Sequence, residues 1–445
     1  MSPKKRFSTI ANYYPSFQDI NPLALSPERW LKSRWVDDKA EGLWRLNDTL
    51  YDFTDFIKLH PGGSDWIRLT KGTDITEAFE IHHIYPKGPE SLLEKYQVRK
   101  AAEPRNFKFT FKDDGFYRTF KRKVGEKLKT VDRSPEQTSK YYIDSILLAT
   151  FLTAVLSLRL NSTLLTILSG LCLNYTTICA HNFFHQKDNF RMYYFNLSFL
   201  NYRQWRIQHS MSHHLYANSI HDLEVSIFEP FLCWTPMSNK NVIQRYASWI
   251  YAPIIYGFIF LNHYVKSIIF CVVEKKNLYH TDDLIPFTLP FAMYLFGVGD
   301  LTAVFKTWIS IVLFGSIFFG FIGLNAGHHN VYNVHDGDTL SKDMDWGIYC
   351  LDTVIDNSDI SHSHLASLTH FGNHLMHHLV PTIDHGVGLQ LYSVLFETMA
   401  EFETKFEEYP WFVHISGQLR QLAKNAPSIA EPEERKKMRI KENSQ

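Results

Sequence analysis

Residues 143 to 180 form two apolar runs that part at Arg159, Leu160 and Asn161. Each run is just long enough to cross hydrocarbon at about 1.5 Å per helical residue, and the pair reads as a helical hairpin. No other feature restricts the chain as much. A weaker pair follows at 284 to 299 and 301 to 327, the first run short and the second carrying Lys306. Residues 246 to 273 hold His263 and Lys266 among aromatics, which favours an interfacial or partly embedded helix over a full span. Basic residues gather just before residue 141, so the positive-inside rule places the start of the first span and everything before it in the cytosol. An even number of crossings returns the chain there each time.

At 445 residues the chain is expected to hold two or three units, at roughly 150 residues per domain. Lys+Arg and Asp+Glu balance at 46 each, which gives no reason to expect nucleic acid, and 21% charged residues is too rich for a wholly buried channel. The five cysteines are widely spaced and form no CxxC pair, so neither a disulfide scaffold nor a thiolate zinc site is encoded. Residues 1 to 17 are basic but have no apolar h-region, and a cleavable secretory signal is not expected. Histidine is the informative residue: of 22, six fall between 181 and 221 and ten between 328 and 385.

Residues 43 to 56, LWRLNDTLYDFTDF, alternate apolar and polar around an Asn47-Asp48 turn signal and predict two short strands in a small α+β unit. His60-Pro61-Gly62-Gly63 follows, where an imidazole projects at a helix boundary and glycines let backbone approach a flat ligand. The helix signal TDITEAFE leads to His82 and His83, two dozen residues on. The pattern LYDFTDFIKLHPGG with TDITEAFEIHH resembles the cytochrome b5 domain over residues 23 to 100. That resemblance implies haem b held by His60 and a second axial histidine, with His83 chosen over His82. With both axial positions filled by protein nitrogen, such a haem transfers single electrons.

Three histidine clusters come next: His181 and His185; His209, His213 and His214; His374, His377 and His378. On a helix, positions i and i+4 share a face with Cβ atoms about 5 to 6 Å apart, so two imidazoles can meet one metal or two adjacent ones. A single HxxxH pair is more often structural than functional. Eight imidazoles after successive apolar hairpins, all on one membrane face, exceed what a four-coordinate zinc requires. The clusters resemble the tripartite histidine boxes of integral-membrane fatty acid desaturases and their hydroxylase relatives, and HHLYANSIHDLE is similar to that family's HH-x-x-x-N stretch. The order of the two resemblances is that of front-end desaturases and insect cytochrome b5-related proteins.

The resemblance implies a di-iron centre that activates O2 and oxidises an unactivated carbon of a fatty acyl lipid or acyl-CoA, with electrons from a cytochrome b5 reductase passing through the haem. The setting that the resemblance implies is the endoplasmic reticulum membrane, with the haem domain and histidine boxes expected in the cytosol. At Asn325-Ala-Gly-His328-His329, the i, i+4 relation of Asn325 and His329 resembles a family ligand pair and assigns His329 to metal, with His328 competing. His221, His335, His362, His364, His370 and His385 are expected in loops or supporting positions. The histidine spacings depart from the family pattern: box one lacks the intervening acid and glycine, box two has three intervening residues, and box three opens with His374 where front-end enzymes have Gln.

The expected architecture is a small α+β haem domain (23–100), a basic linker and juxtamembrane segment (101–140), an all-α membrane desaturase-like domain (141–405) and a charged C-terminal tail (406–445). Acyl hydroxylation and a non-catalytic membrane-anchored electron carrier are the alternative functions.

Overall fold

The computed structural model describes residues 6–85, 87–274 and 280–443. The strands Trp44–Leu46 and Thr49–Tyr51 turn at Asn47, whose φ of 53° suits asparagine, and Gln97–Lys100 adds a third antiparallel strand. Trp44, Leu46, Tyr51, Phe53 and Ile75 pack as the core of this small domain. The helix Thr76–His82 ends where His83 caps it.

The segment expected as a linker folds into the main core. In the helix Phe116–Lys127, Phe116, Tyr117, Phe120 and Val124 share one face and are buried against Trp346, Leu379 and Leu395. Two of its basic residues meet one acid of the small N-terminal domain: Lys121 Nζ lies 2.6 Å from Glu80, and Arg118 pairs with the same carboxylate. The segment expected as a charged tail also folds back onto the main domain over its described residues. Glu408–Tyr409 pairs in parallel with Asp356–Asn357, Trp411–Ala423 forms a helix, and buried Lys436 donates to Asp352 at 2.9 Å. Ion pairs to internal acids explain why a charged segment folds back, since a buried charge is tolerated only when paired.

Among the described residues, three helices are long and apolar enough to cross a membrane: Ser134–Arg159, Thr163–Phe184 and Leu301–Gly323. The first two form the expected hairpin. The third crosses the second at Gly170 and Gly315, where a Cβ on Gly170 would stand 2.6 Å from Phe314 Cβ, so small residues permit the close approach. The run 284 to 299 does not provide a partner span; it gives a 3₁₀ turn, Thr281–Phe287, and a helix Thr288–Phe296 of only 9 residues. Residues 243 to 273 form two helices, Ile243–Gly257 and Ile259–Val273, bent by 67° at their junction, a fourth crossing only if the pair is one broken span.

Candidate metal and haem sites

In the small domain His60 and His83 face each other with ring centroids 6.3 Å apart at 86°. That span matches two metal–nitrogen bonds of about 2 Å plus the half-widths of the rings. Nδ1 of His60 bonds Gly63 O at 2.9 Å and Nδ1 of His83 bonds Phe79 O at 2.9 Å, which leaves Nε2 of each available to a cavity of about 610 Å³ lined by Phe53, Phe56, Ile75 and Leu93. Burial lowers the pKa of His60 and pushes His83 down to about 4, so both rings are neutral donors. These residues fit a haem. His82 lines the same cavity, but its ring lies 5.3 Å from Trp66 and its Nε2 is buried without a partner.

The three boxes converge below the helix ends, and they do not sort box by box. Nitrogens of His181, His185, His209, His214 and His377 lie within 4.8 Å of one another, as do those of His213, His328, His374 and His378. His181 and His185 share a group because the helix Thr163–Phe184 and its cap carry them at i, i+4. The second box lies in a π-helical stretch, Arg206–His213, in which His214 N–H reaches His209 O. That i, i+5 turn aligns His209 with His214 and sends His213 to the other group. In the helix His374–Leu379, His374 and His378 stay together and His377 turns toward His181.

Within the groups, Nε2 atoms stand 2.6 Å (His181 and His209), 2.9 Å (His209 and His214), 3.0 Å (His213 and His328) and 2.7 Å (His328 and His374) apart. Their outer nitrogens fix the tautomers. His209 Nδ1 donates to Glu224 at 2.7 Å, His213 Nδ1 to Asp222 at 2.8 Å and His328 Nδ1 to Thr353 O at 3.2 Å. In these three rings Nε2 is the nitrogen that faces the other imidazoles of the group, and a cation between them would be stabilised there. Burial opposes charge on His213, yet Asp222 and Glu224 outweigh it and raise its pKa to about 9; the same negative charge favours a metal ion there. The donor set, nine imidazoles backed by two carboxylates, fits a pair of redox metals.

The assignment of His329 is corrected by this geometry. The helix ends at Gly323, the backbone turns through Asn325 and Ala326, and Gly327 takes φ +158°, so Asn325 and His329 are not on one helical face. His328 joins the second group instead, and the His329 ring stacks on Trp234 at 4.0 Å. Asn325 donates Nδ2 to Phe321 O at 2.7 Å. Of the remaining histidines, His385 sits 3.2 Å from His377 Nδ1 as an orienting partner, while His364 and His370 meet Ser139 and Tyr175. Asp222 and Glu224 were not assigned from sequence, although the HDLE that carries them begins at His221, just past the LYANSI that follows box two.

Beside the second group opens a cavity of about 330 Å³ lined by His209, His213, His328 and His374 at one end and by Trp205, Ile255, Ile259, Phe319 and Leu324 beyond. Its lining is mostly apolar, with the imidazoles at one end.

A haem-type pocket joined to a helical domain with paired imidazole groups beside an apolar chamber defines a class: oxidoreductases of the lipid desaturase type, with helices suited to a membrane. Residues 160–410 match the fatty acid desaturase family and residues 30–102 the cytochrome b5-like heme/steroid binding domain. The chain is 42% identical over 429 residues to the cytochrome b5-related protein of Drosophila melanogaster, covering 96% of this chain and 97% of that one. It is 25% identical over 419 residues to the probable Delta(5) fatty acid desaturase C of Dictyostelium discoideum, covering 83% and 89%. No solved structure matches. The chain belongs to the fatty acid desaturase family and carries a cytochrome b5-like domain ahead of the desaturase region.

Proposed function

We propose that the protein desaturates a fatty acyl chain with O2, using electrons that its own haem domain supplies. The observation that carries the reading is the placement of nine buried imidazoles in two abutting groups, facing an apolar chamber on one side and the haem cavity on the other. Bound iron supplies O2 activation and the one-electron steps that an unactivated carbon requires. The protein's own contribution is positional. His209 and His213 are oriented by Glu224 and Asp222, the chamber walls exclude water around the acyl chain, and haem held by His60 and His83 is tethered at high effective concentration. The substrate is an acyl lipid or acyl-CoA, the electron donor a cytochrome b5 reductase, and the location the endoplasmic reticulum membrane with both sites cytosolic.

Lipid profiles of host cells with and without the protein test this reading. An added double bond is expected, abolished by His213→Ala plus His377→Ala, with about two non-haem irons per chain in the unaltered protein. A hydroxylated product would reassign the chemistry. The name of the Drosophila melanogaster relative, which refers to cytochrome b5 alone, favours one second reading, a membrane electron carrier without catalysis. Unchanged lipids and absent non-haem iron would select it. The haem assignment has its own test: the Soret band is lost in His60→Ala and in His83→Ala and kept in His82→Ala.

A further inference from the structure

The two metal groups differ in what they face. The chamber for the acyl chain is lined by His209 and by three members of the four-imidazole group, His213, His328 and His374. The haem cavity is lined by one imidazole of the nine, His185, which belongs to the five-imidazole group through His181 Nε2 at 3.0 Å. We infer that the electron reaches the metal pair through the ion held by the five-imidazole group, at His185, while the other ion faces substrate, and that Asp188 and Arg206 are the positioning residues that hold the haem loop in register. The inference rests on the electron transfer within one chain proposed above.

The contact between the domains at this point is built from backbone and buried charge. Asp188 N–H donates to Gly62 O at 3.2 Å, beside the axial His60. A Cβ on Gly63 would lie 2.3 Å from the Asp188 carboxylate, so in this chain the second glycine of His60-Pro61-Gly62-Gly63 makes room for the desaturase domain. Gly63 also has φ +121°, a conformation that glycine tolerates best. The carboxylate accepts from fully buried Arg206 at 2.8 Å, and Arg206 donates to Phe184 O, the residue before His185, at 3.1 Å. The Arg206 guanidinium lies over Trp66 of the haem domain at 4.5 Å. One side chain thus ties the haem loop, the end of the first-box helix and the start of the second-box helix together.

The step is a one-electron transfer: ferrous haem becomes ferric and one ferric non-haem ion becomes ferrous. The full chain, loaded with haem and iron, is reduced at the haem by a flash and the Soret band is followed without O2. The unaltered chain is expected to reoxidise its haem, and Asp188→Lys to do so about tenfold or more slowly, with Soret position and iron content unchanged, because small misplacements of reacting groups carry large rate penalties. Should Asp188→Lys lose haem or iron, Asp188→Asn, which keeps the side-chain shape and drops the charge, takes its place with slowing expected in the same direction. Two single-iron chains address which ion is reduced first. His374→Ala plus His378→Ala is expected to keep fast reoxidation and His181→Ala plus His214→Ala to lose it. Unaltered rates in the Asp188 variants, or fast reoxidation only in the second single-iron chain, would overturn the inference. No reoxidation in the unaltered iron-loaded chain would instead sink the transfer within one chain on which it rests.

Discussion

Asp222→Asn is the smallest change that tests whether the second box is a metal site and not a buried histidine cluster. Asp222 is fully buried and spends both oxygens: Oδ2 accepts from His213 Nδ1 at 2.8 Å and from Asn218 N–H at 2.9 Å, and Oδ1 accepts from Glu224 N–H at 2.8 Å. Asparagine has one acceptor oxygen, so its NH2 must face a donor whichever way it turns. If the oxygen stays with His213, the Glu224 N–H is left unsatisfied, at about 1 to 3 kcal/mol. If the amide turns over, His213 must move its proton to Nε2 and withdraw its lone pair from His328 and the rest of its group. Both orientations also remove a negative charge from beside the site. Loss of such a supporting carboxylate weakens metal binding about 10- to 100-fold, or about 1.4 to 2.8 kcal/mol. Non-haem iron is measured per chain against a graded chelator, with the haem Soret band as an internal control for folding. The midpoint is expected to fall by one to two decades. An Asp222→Asn chain that holds its iron at the same chelator concentration would refute the argument that His213 is oriented for metal by this carboxylate.

Three further perturbations separate the folded arrangement from simpler ones. Phe120→Ala removes a fully buried ring from the core of the main domain and is expected to lower stability by about 3 to 5 kcal/mol in denaturant or thermal unfolding, whereas a linker residue would change it by under about 0.5 kcal/mol. Gly323→Leu places a side chain in the acyl chamber, where a Cβ meets only Phe371 at 3.7 Å; product profiles should shift to shorter chains while iron content stays constant. Lys240 is buried where its Nζ donates to Leu422 O and Lys424 O, and burial pulls its pKa down from 10.5 to about 8. The unfolded chain therefore holds the extra proton between about pH 8 and 10.5, so this lysine makes stability rise with pH across that window and adds no slope below it. Thermal midpoints measured from pH 7 to 10 should climb less steeply in Lys240→Met; an identical slope would show that Lys240 stays charged when folded.

Where a regular helix carries the residues, the sequence spacing predicts the placement: His181 and His185 fall in one imidazole group as an i, i+4 pair, and the Asn47-Asp48 turn joins the two strands. Spacing failed where the backbone leaves the α-helix. The second box has the same i, i+4 signature, His209 and His213, but the π turn exchanges His213 for His214 in the first group. His329 was preferred to His328 on the assumption that the helix continues past Gly323, and the turn at Gly327 gives the position to His328. The linker and tail were read from their charges, and those charges end on buried acids of other segments, at Glu80, Asp338 and Asp352, which only the folded chain brings near. The apolar face of Phe116, Phe120 and Val124 was present in the sequence at i, i+4, i+8 and outweighs the basic count, because an apolar helix face must find a partner while solvated lysines need none. The same reasoning accounts for the site: residue type, nine imidazoles at or near successive helix ends, is a property of the sequence, whereas their division into two groups depends on one π turn and one broken helix end.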